Sequence, residues 1–588
     1  MQHIRDPQQN QLFDVWDRIL SPMAYTKLKE GWQGVFREVI LELLPVDVLA
    51  GEFDPDMGRP TKELYSMAGL LLIKEFKGWT AQEAAEAYMY HADIQFALNL
   101  EPACQQLSSR TVERYEAIFV KNELAAEVME RVTMGIVEEL ELDVSRQRLD
   151  STHIFSDMAI FGRTRLMGVA VKRFLTQLKR HNREEYEKLP EELRERYRPS
   201  KGRLFGDVAS DRDARRKLRQ TVAEEMQLLV ERFADDESIR GRTTYREMLQ
   251  IFEEQCEVVD EDVEVKDHPG GDVVQNPSDL DATREGQKGA GYKAQVSETC
   301  SPENDVQLLL LALPQTGAED DTVSFPEVLR NLERCEILPE ALFADAKYGS
   351  DENVRRAAEK GVELHSPVSG PKREDEPYEL NIDDFVVTEA TEEVQRCPAG
   401  AEPEESCYNE EKGRTRTVMP AGRCMGCEYA DECPVGFVRG EAVLRHTPKQ
   451  RRLAARRREQ DTEAFRETYS IRSGGESAFS GLKRRLGLDR VRVRRRPAVS
   501  YKIWMKVAAW NVLRAAASEK LRRKVAQSLG RRARFARKAP RPTPVPVYEV
   551  ICTWILSRLA DLLPNHVPAR PGRHNPIGLN PVPAFARN

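Results

Sequence analysis

Cysteine is scarce, at 10 of 588 residues, so the chain does not read as a disulfide-stapled secreted scaffold. Long apolar runs are missing too. The longest apolar stretch, VQLLLLALP at Val306–Pro314, falls well short of the roughly 18–20 residues that a membrane helix needs. The first residues, MQHIRDPQQNQLFDVWDRIL, lack a basic segment followed by an apolar core, so no secretory signal is expected. No internal repeat recurs at a fixed period. These absences lead to the expectation of a cytoplasmic protein without a membrane span.

What is present is a well-stocked, highly charged chain. Apolar residues make up 40% and charged residues 32%, enough for buried cores under a solvated surface, and the length suits roughly three or four domains. The formal net charge of −8 hides a split. Residues 441–588 hold 34 Lys and Arg against 10 Asp and Glu, so the rest of the chain is acidic. A basic C-terminal quarter on an acidic body points to a polyanion partner.

Periodicity divides the chain. Residues 1–145 read as helical: YSMAGLLLIKEF is apolar at helical spacing, Thr80 is placed to cap AQEAAEAYMYH, and a further start lies at Leu107-Ser108-Ser109. This pattern fits either a helix-turn-helix or an ordinary helical bundle. Residues 146–164 and 271–370 alternate strands (RQRLDSTHIF, YKAQVSETC, VQLLLLALPQ, ALFADAKY, VELHSPV) with helices (EVLRNLERC, DENVRRAAEKG), the pattern of a mixed α/β core. Residues 165–270 form a charged helical insertion, 371–460 a Cys-bearing insertion and 461–520 a return to helix. The chain from 521 to 588 is basic and then Pro-rich, as expected of a tail.

Three carboxylates stand out by position. Asp150 falls in the strand of LDSTHI, Asp345 near the end of the strand of FADAKYGS, and Glu476 in the helical YSIRSGGESAFSGLKRR. An acid within a strand is costly unless paired, hydrogen-bonded or metal-bound, and hard divalent cations are held by a few carboxylates. Tyr469, Arg472, Glu476 and Lys483 fall within a roughly 60° arc if the segment is one helix at about 100° per residue. That face offers a carboxylate for a cation and a phenol, a guanidinium and an ammonium for phosphates. The pair Gly474-Gly475 weakens a single helix, and Ser473 could instead cap a shorter one.

The spacing Y-x2-R-x3-E-x6-K resembles the YREK signature of the DDE transposases of bacterial insertion sequences, and LDSTHI and FADAKYGS look like their two aspartate motifs. The helix-rich run YSMAGLLLIKEFKGWTAQEAAEAYMYH at Tyr65–His91 and the basic run from Gly481 to Asn511 are similar to the same family, and the likeness covers roughly residues 60–165 and 275–515. The resemblance implies an RNase H-like catalytic core with large insertions, within an α/β (α+β) fold. It implies a helical N-terminal DNA-binding domain and catalytic metal ligands Asp150, Asp345 and Glu476 for Mg2+ or Mn2+. Tyr469, Arg472 and Lys483 would hold the DNA. The implied activity is cleavage at the element's terminal inverted repeats and transfer of the freed 3′-OH into target DNA by a homo-oligomer. A catalytically inactive DNA-binding relative and a nuclease without strand transfer are the other readings.

Five of the cysteines crowd into 397–433. Cys397, Cys424, Cys427 and Cys433, with the CxxC of Cys424-Met-Gly-Cys427, suit a tetrahedral structural Zn2+. Cys407 competes for a place, and free thiols or a redox pair are the alternatives. The Arg-rich runs at 451–458, 490–496 and 531–538 are expected to add sequence-independent phosphate contacts.

Overall fold

The core of this computed structural model is a six-stranded mixed sheet. The residues it describes are 1–7, 15–102, 105–159, 161–201, 204–205, 212–369, 380–388, 390–525 and 527. The Arg run at 531–538 lies outside them, as does the tail beyond 527, whereas Leu521 and Val525 at the start of the expected tail are buried in the core.

Five of the six strands are β1 (Arg146–Ile154), β2 (Gly289–Thr299), β3 (Leu309–Thr316), β4 (Ala341–Ala344) and β5 (Glu363–His365). Their order is β3-β2-β1-β4-β5, and the short strand Thr283–Glu285 pairs with the start of β2. β2 runs antiparallel to both β1 and β3, whereas β4 is parallel to β1 and β5 to β4. This order and these directions are those of an RNase H-like core, as expected from the sequence. β2 is buried along almost its whole length, because helices cover both faces of the sheet.

On one face Arg496–Ala517 packs together with the N-terminal helices Leu64–Lys77 and Leu124–Leu140. Its Trp504 Nε1 donates to Ala312 O of β3 at 3.0 Å, and Asn511 Nδ2 reaches Leu309 O at 2.8 Å and Thr133 Oγ1 at 2.8 Å. The opposite face is closed by Asp321–Arg334, whose Phe325, Val328, Leu329 and Leu332 meet Leu149, Leu310, Leu342 and Ala344.

The local signals at the N-terminal helices act as read. Thr80 caps Ala81–Tyr90 in a reciprocal box with Glu83, and Ser108 caps Ser109–Lys121. The helix beginning there breaks at Glu123, which adopts a left-handed conformation before Leu124–Leu140. These N-terminal helices are fastened to the core through Glu75. It takes Lys74 Nζ at 2.9 Å and Lys502 Nζ at 2.5 Å, and Lys506 Nζ lies 3.6 Å away.

Residues 163–255 form a helical bundle with its own core around Phe174, Met226 and Tyr245. The Cys-bearing region carries a four-stranded antiparallel sheet ordered Glu405–Asn409, Arg414–Met419, Glu441–His446, Gly436–Val438. Among the described residues no helix is long and apolar enough to cross a membrane.

Candidate active site

Strand register brings the first two acids together. β1 and β4 pair in parallel as far as Leu149 opposite Ala344, so Asp150 on β1 and Asp345 just past the end of β4 each follow the last paired residue of adjacent strands. Each carboxylate is oriented by a nearby backbone amide. Ser151 N donates to Asp150 Oδ1 at 2.8 Å and Lys347 N to Asp345 Oδ1 at 2.9 Å. The expected strand over Ala341–Tyr348 stops at Ala344, because Asp345 turns to cap a single 3-10 turn, Ala346–Tyr348. Burial pushes the Asp150 carboxyl up. Arg472 and the Ser151 amide work against that shift, and the neighbouring charges of Asp345 and Asp321 reinforce it.

The segment carrying Tyr469, Arg472, Glu476 and Lys483 is not a single helix. It runs as a helix to Tyr469, a 3-10 stretch over Ser470–Gly474, and a second helix over Gly475–Arg484. Gly474 lies at the break, where the segment meets Arg148 of β1. A Cβ on Gly474 would stand 2.1 Å from Arg148 Nη1, and Arg148 is fixed by Glu298 Oε2 at 2.8 Å and by Ile471 O at 3.2 Å. The glycines let this segment lie directly on β1. Ser473 does not cap the second helix; its hydroxyl donates to Ser470 O at 2.8 Å.

This close approach delivers two of the four residues to the acids. Arg472 Nη2 donates to Asp150 Oδ2 at 2.7 Å. Tyr469 Oη donates at 3.1 Å to Ala344 O, immediately before Asp345. Burial raises the Tyr469 phenol; Arg472 opposes this, and the charges of Asp345 and Asp150 add to it. Lys483 is half-buried farther along the same helix, where its charge helps burial to lower the His153 imidazole against the pull of Glu285. His153 is buried on β1 with Nδ1 3.2 Å from Glu285 Oε2. Glu476 is exposed in the first turn of Gly475–Arg484. A cleft between β1 and this helix is lined by Arg148, Asp150, Glu298, Arg472, Gly475 and Phe479.

Among the described residues no three His, Cys, Asp or Glu side chains stand close enough together to hold a metal ion. The donors nonetheless suit a hard cation, since they are carboxylate oxygens and one of them, Asp150 Oδ2, is occupied by a guanidinium. In the Cys-bearing region Cys397, Cys424, Cys427 and Cys433 all line one apolar cavity, with Leu380, Met419 and Phe437 among its walls. Burial raises the Cys424 thiol, and the proximity of Cys433, Cys397 and Cys427 raises it further. Cys407 lies elsewhere, exposed on Glu405–Asn409.

Residues 396–516 match the family model described as a transposase DDE domain. That segment holds the four clustered cysteines together with Tyr469, Arg472, Glu476 and Lys483, and stops short of both aspartates. It supports a DDE-type transposase enzyme, of a class that works with divalent metal ions. No curated protein matches the chain. Among solved structures, a cryo-EM piggyBac transposase synaptic complex with hairpin DNA aligns over 95% of this chain and 88% of its own. The identity is 10% and the TM-score 0.26. A likeness at that level does not establish a shared arrangement.

Two features escaped the sequence reading. The Arg run at 451–458 is not an open phosphate-binding face. Arg451 pairs with Glu392 at 2.8 Å, Arg452 with Asp351 at 2.8 Å and Arg458 with Asp383 at 3.0 Å, while Arg456 donates to Gly349 O and Ser366 O. These arginines brace the Cys-bearing region against the core. The run at 490–496 is likewise partly engaged, through Arg494 with Asp157 and Arg495 with Glu247. The other feature is Asp321, which sits beneath the two aspartates. Its sequence context, GAEDDTVSF, signals only a helix start, and its neighbour Asp320 is the cap.

Proposed function

We propose that this protein is a DNA transposase of a bacterial insertion sequence, with the YREK signature at Tyr469, Arg472, Glu476 and Lys483. The observation that carries the reading is that Asp150 and Asp345 each follow the last paired residue, Leu149 and Ala344, of two neighbouring parallel strands of an RNase H-like sheet. The DDE-domain match over the segment that contains Glu476 supports it.

Asp150, Asp345 and Glu476 would hold the divalent cation, Mg2+ or Mn2+. When bound, it supplies activation of the attacking oxygen and stabilisation of the leaving oxygen in an in-line displacement at a phosphodiester. The chain's own residues do the rest. The two backbone amides at Ser151 and Lys347 aim the carboxylates. Arg472, on Asp150 in the free protein, is the group that would turn to a backbone phosphate, where its planar donors match two oxygens. Lys483 would add a point charge to the same DNA strand, and Tyr469 would hold the DNA with them.

The division of labour follows the organisation read from the sequence. Residues 1–145 would be the helical DNA-binding domain. Residues 146–164, 271–370 and 461–520 would form the catalytic core, 165–270 and 371–460 the insertions, and 521–588 a basic tail. The partners are the element's terminal inverted repeats and target DNA, engaged by a homo-oligomer. Cys397, Cys424, Cys427 and Cys433 would bind a structural Zn2+ that ties together the loops around their shared cavity.

The test is a nicking and joining assay on element-end DNA with Mg2+ or Mn2+. The wild-type chain is expected to nick the end and join the 3′-OH to target DNA. Asp150→Asn should lose both steps while still binding the end. Nicking without joining would make the protein a nuclease. Nicking retained in Asp150→Asn would remove that residue from the site.

A further inference from the structure

Asp321 is 1% exposed, yet it stands at the first position of Asp321–Arg334 with four side chains directed at it. Lys293 Nζ lies 3.0 Å and Gln295 Nε2 2.7 Å from Oδ1. Lys347 Nζ lies 3.1 Å and Ser151 Oγ 3.2 Å from Oδ2. Lone buried carboxylates are costly, and this one is kept ionised by the donors that surround it.

Two of these donors belong to the residues that orient the aspartates. Ser151 directs its backbone N–H at Asp150 and its hydroxyl at Asp321. Lys347 directs its backbone N–H at Asp345 and its ammonium at Asp321. Strand alternation puts Ser151 on the opposite face of β1 from Asp150, so the shared anchor reaches both carboxylates from behind the sheet. The same helix start adds a further tie, since Thr322 Oγ1 donates to Lys347 O at 2.7 Å.

We infer that Asp321 is a positioning residue, fixing the relative orientation of Asp150 and Asp345 without taking part in the chemistry. Its oxygens are filled by Lys293, Gln295, Lys347 and Ser151, so it is not a ligand for the cation. The inference rests on the proposed function, in which Asp150 and Asp345 hold a divalent ion. Partners that orient a metal ligand typically change metal affinity by roughly 10–100-fold when removed.

The experiment is Mn2+ binding to the DNA-free, full-length chain, followed by electron paramagnetic resonance of the unbound ion, with affinity for end DNA measured in parallel. Asp321→Asn should weaken Mn2+ binding by about tenfold or more and leave affinity for end DNA within about twofold. Because Asp321→Asn strips a partner from buried Lys293, Ser151→Ala and Lys347→Met are measured as well. Each removes one connection and should weaken Mn2+ binding by a smaller factor. Unchanged Mn2+ binding in folded Asp321→Asn, or in both Ser151→Ala and Lys347→Met, overturns the positioning role. Loss in Asp321→Asn with full retention in the other two makes it a direct ligand and also overturns it. Asp150→Asn is the reference. If Mn2+ binding survives that change, the carboxylate assignment itself falls, whereas loss there with retention in Asp321→Asn overturns the positioning role alone.

Discussion

Arg472 donates to Asp150 across 2.7 Å, so in the DNA-free protein a guanidinium occupies an oxygen that the proposed chemistry requires for a cation. In the proposed function, DNA and metal would be coupled through this one side chain: a backbone phosphate that attracts Arg472 would release Asp150 to a ligand role.

Removing that guanidinium should make the free protein bind metal more readily. Both side chains are about a third exposed or less, at 26% and 32%, so the pair is worth at most about 1 kcal/mol. Arg472→Gln is expected to tighten Mn2+ binding by up to about fivefold without DNA, while end-DNA affinity falls. Calorimetric titration with Mn2+, alongside DNA binding, checks both directions. Weaker Mn2+ binding in the variant would show that Arg472 assists rather than competes.

The helix that carries Glu476 is seated by a second glycine contact. A Cβ on Gly481 would lie 2.1 Å from Trp510 Cη2 and 2.3 Å from Cζ3, and the indole is part of the core helix Arg496–Ala517. Gly481→Ala is expected to destabilise the protein by about 1–3 kcal/mol through overpacking. It should also change the tryptophan fluorescence and slow cleavage by displacing the helix that carries Glu476. Chemical denaturation and a single-turnover assay read these effects.

Glu75 governs how the N-terminal helices hold to the core. Burial alone would raise its carboxyl, but Lys502, Lys74 and Lys506 outweigh it and bring it down to about 2. A depressed carboxyl contributes stability above its ordinary value near 4.5, and that contribution is lost as pH falls toward 2. Glu75→Gln leaves Lys74 and Lys502 with Glu116 as their remaining carboxylate and Lys506 without one, and is expected to cost about 3 kcal/mol at neutral pH. The wild type should lose stability steeply between pH 4.5 and 2, and the variant much less so. Thermal melts across that range provide the check.

The cysteine assignment makes a sharp distinction among five thiols. Zinc content by mass spectrometry should be about one ion per chain in the wild type and in Cys407→Ser. It should fall to near zero in Cys424→Ser or Cys397→Ser, which remove a thiol from the shared cavity. Equal zinc loss in Cys407→Ser would reassign the ligand set.

Much of this fold is written in local patterns. The alternating strands, the Thr80 and Ser108 caps and the strand positions of Asp150 and Asp345 follow from residue type and spacing, because those signals act over a few neighbours. What stayed hidden depends on contacts between distant segments. The segment between Tyr469 and Glu476 packs against Arg148, which lies more than three hundred residues earlier in the chain. The arginines of 451–458 look like a DNA-facing surface until Glu392, Asp351 and Asp383 are brought against them. Asp321 reads as a helix cap because nothing nearby in sequence announces Lys293, Lys347 and Ser151.

The most direct test is anomalous diffraction from crystals of the chain with cleaved element-end DNA and Mn2+. The account predicts a manganese peak within bonding distance of carboxylate oxygens from Asp150, Asp345 and Glu476 together, with Arg472 moved from Asp150 to a phosphate. Manganese bound elsewhere, or at the two aspartates with Glu476 pointing into solvent, would contradict it.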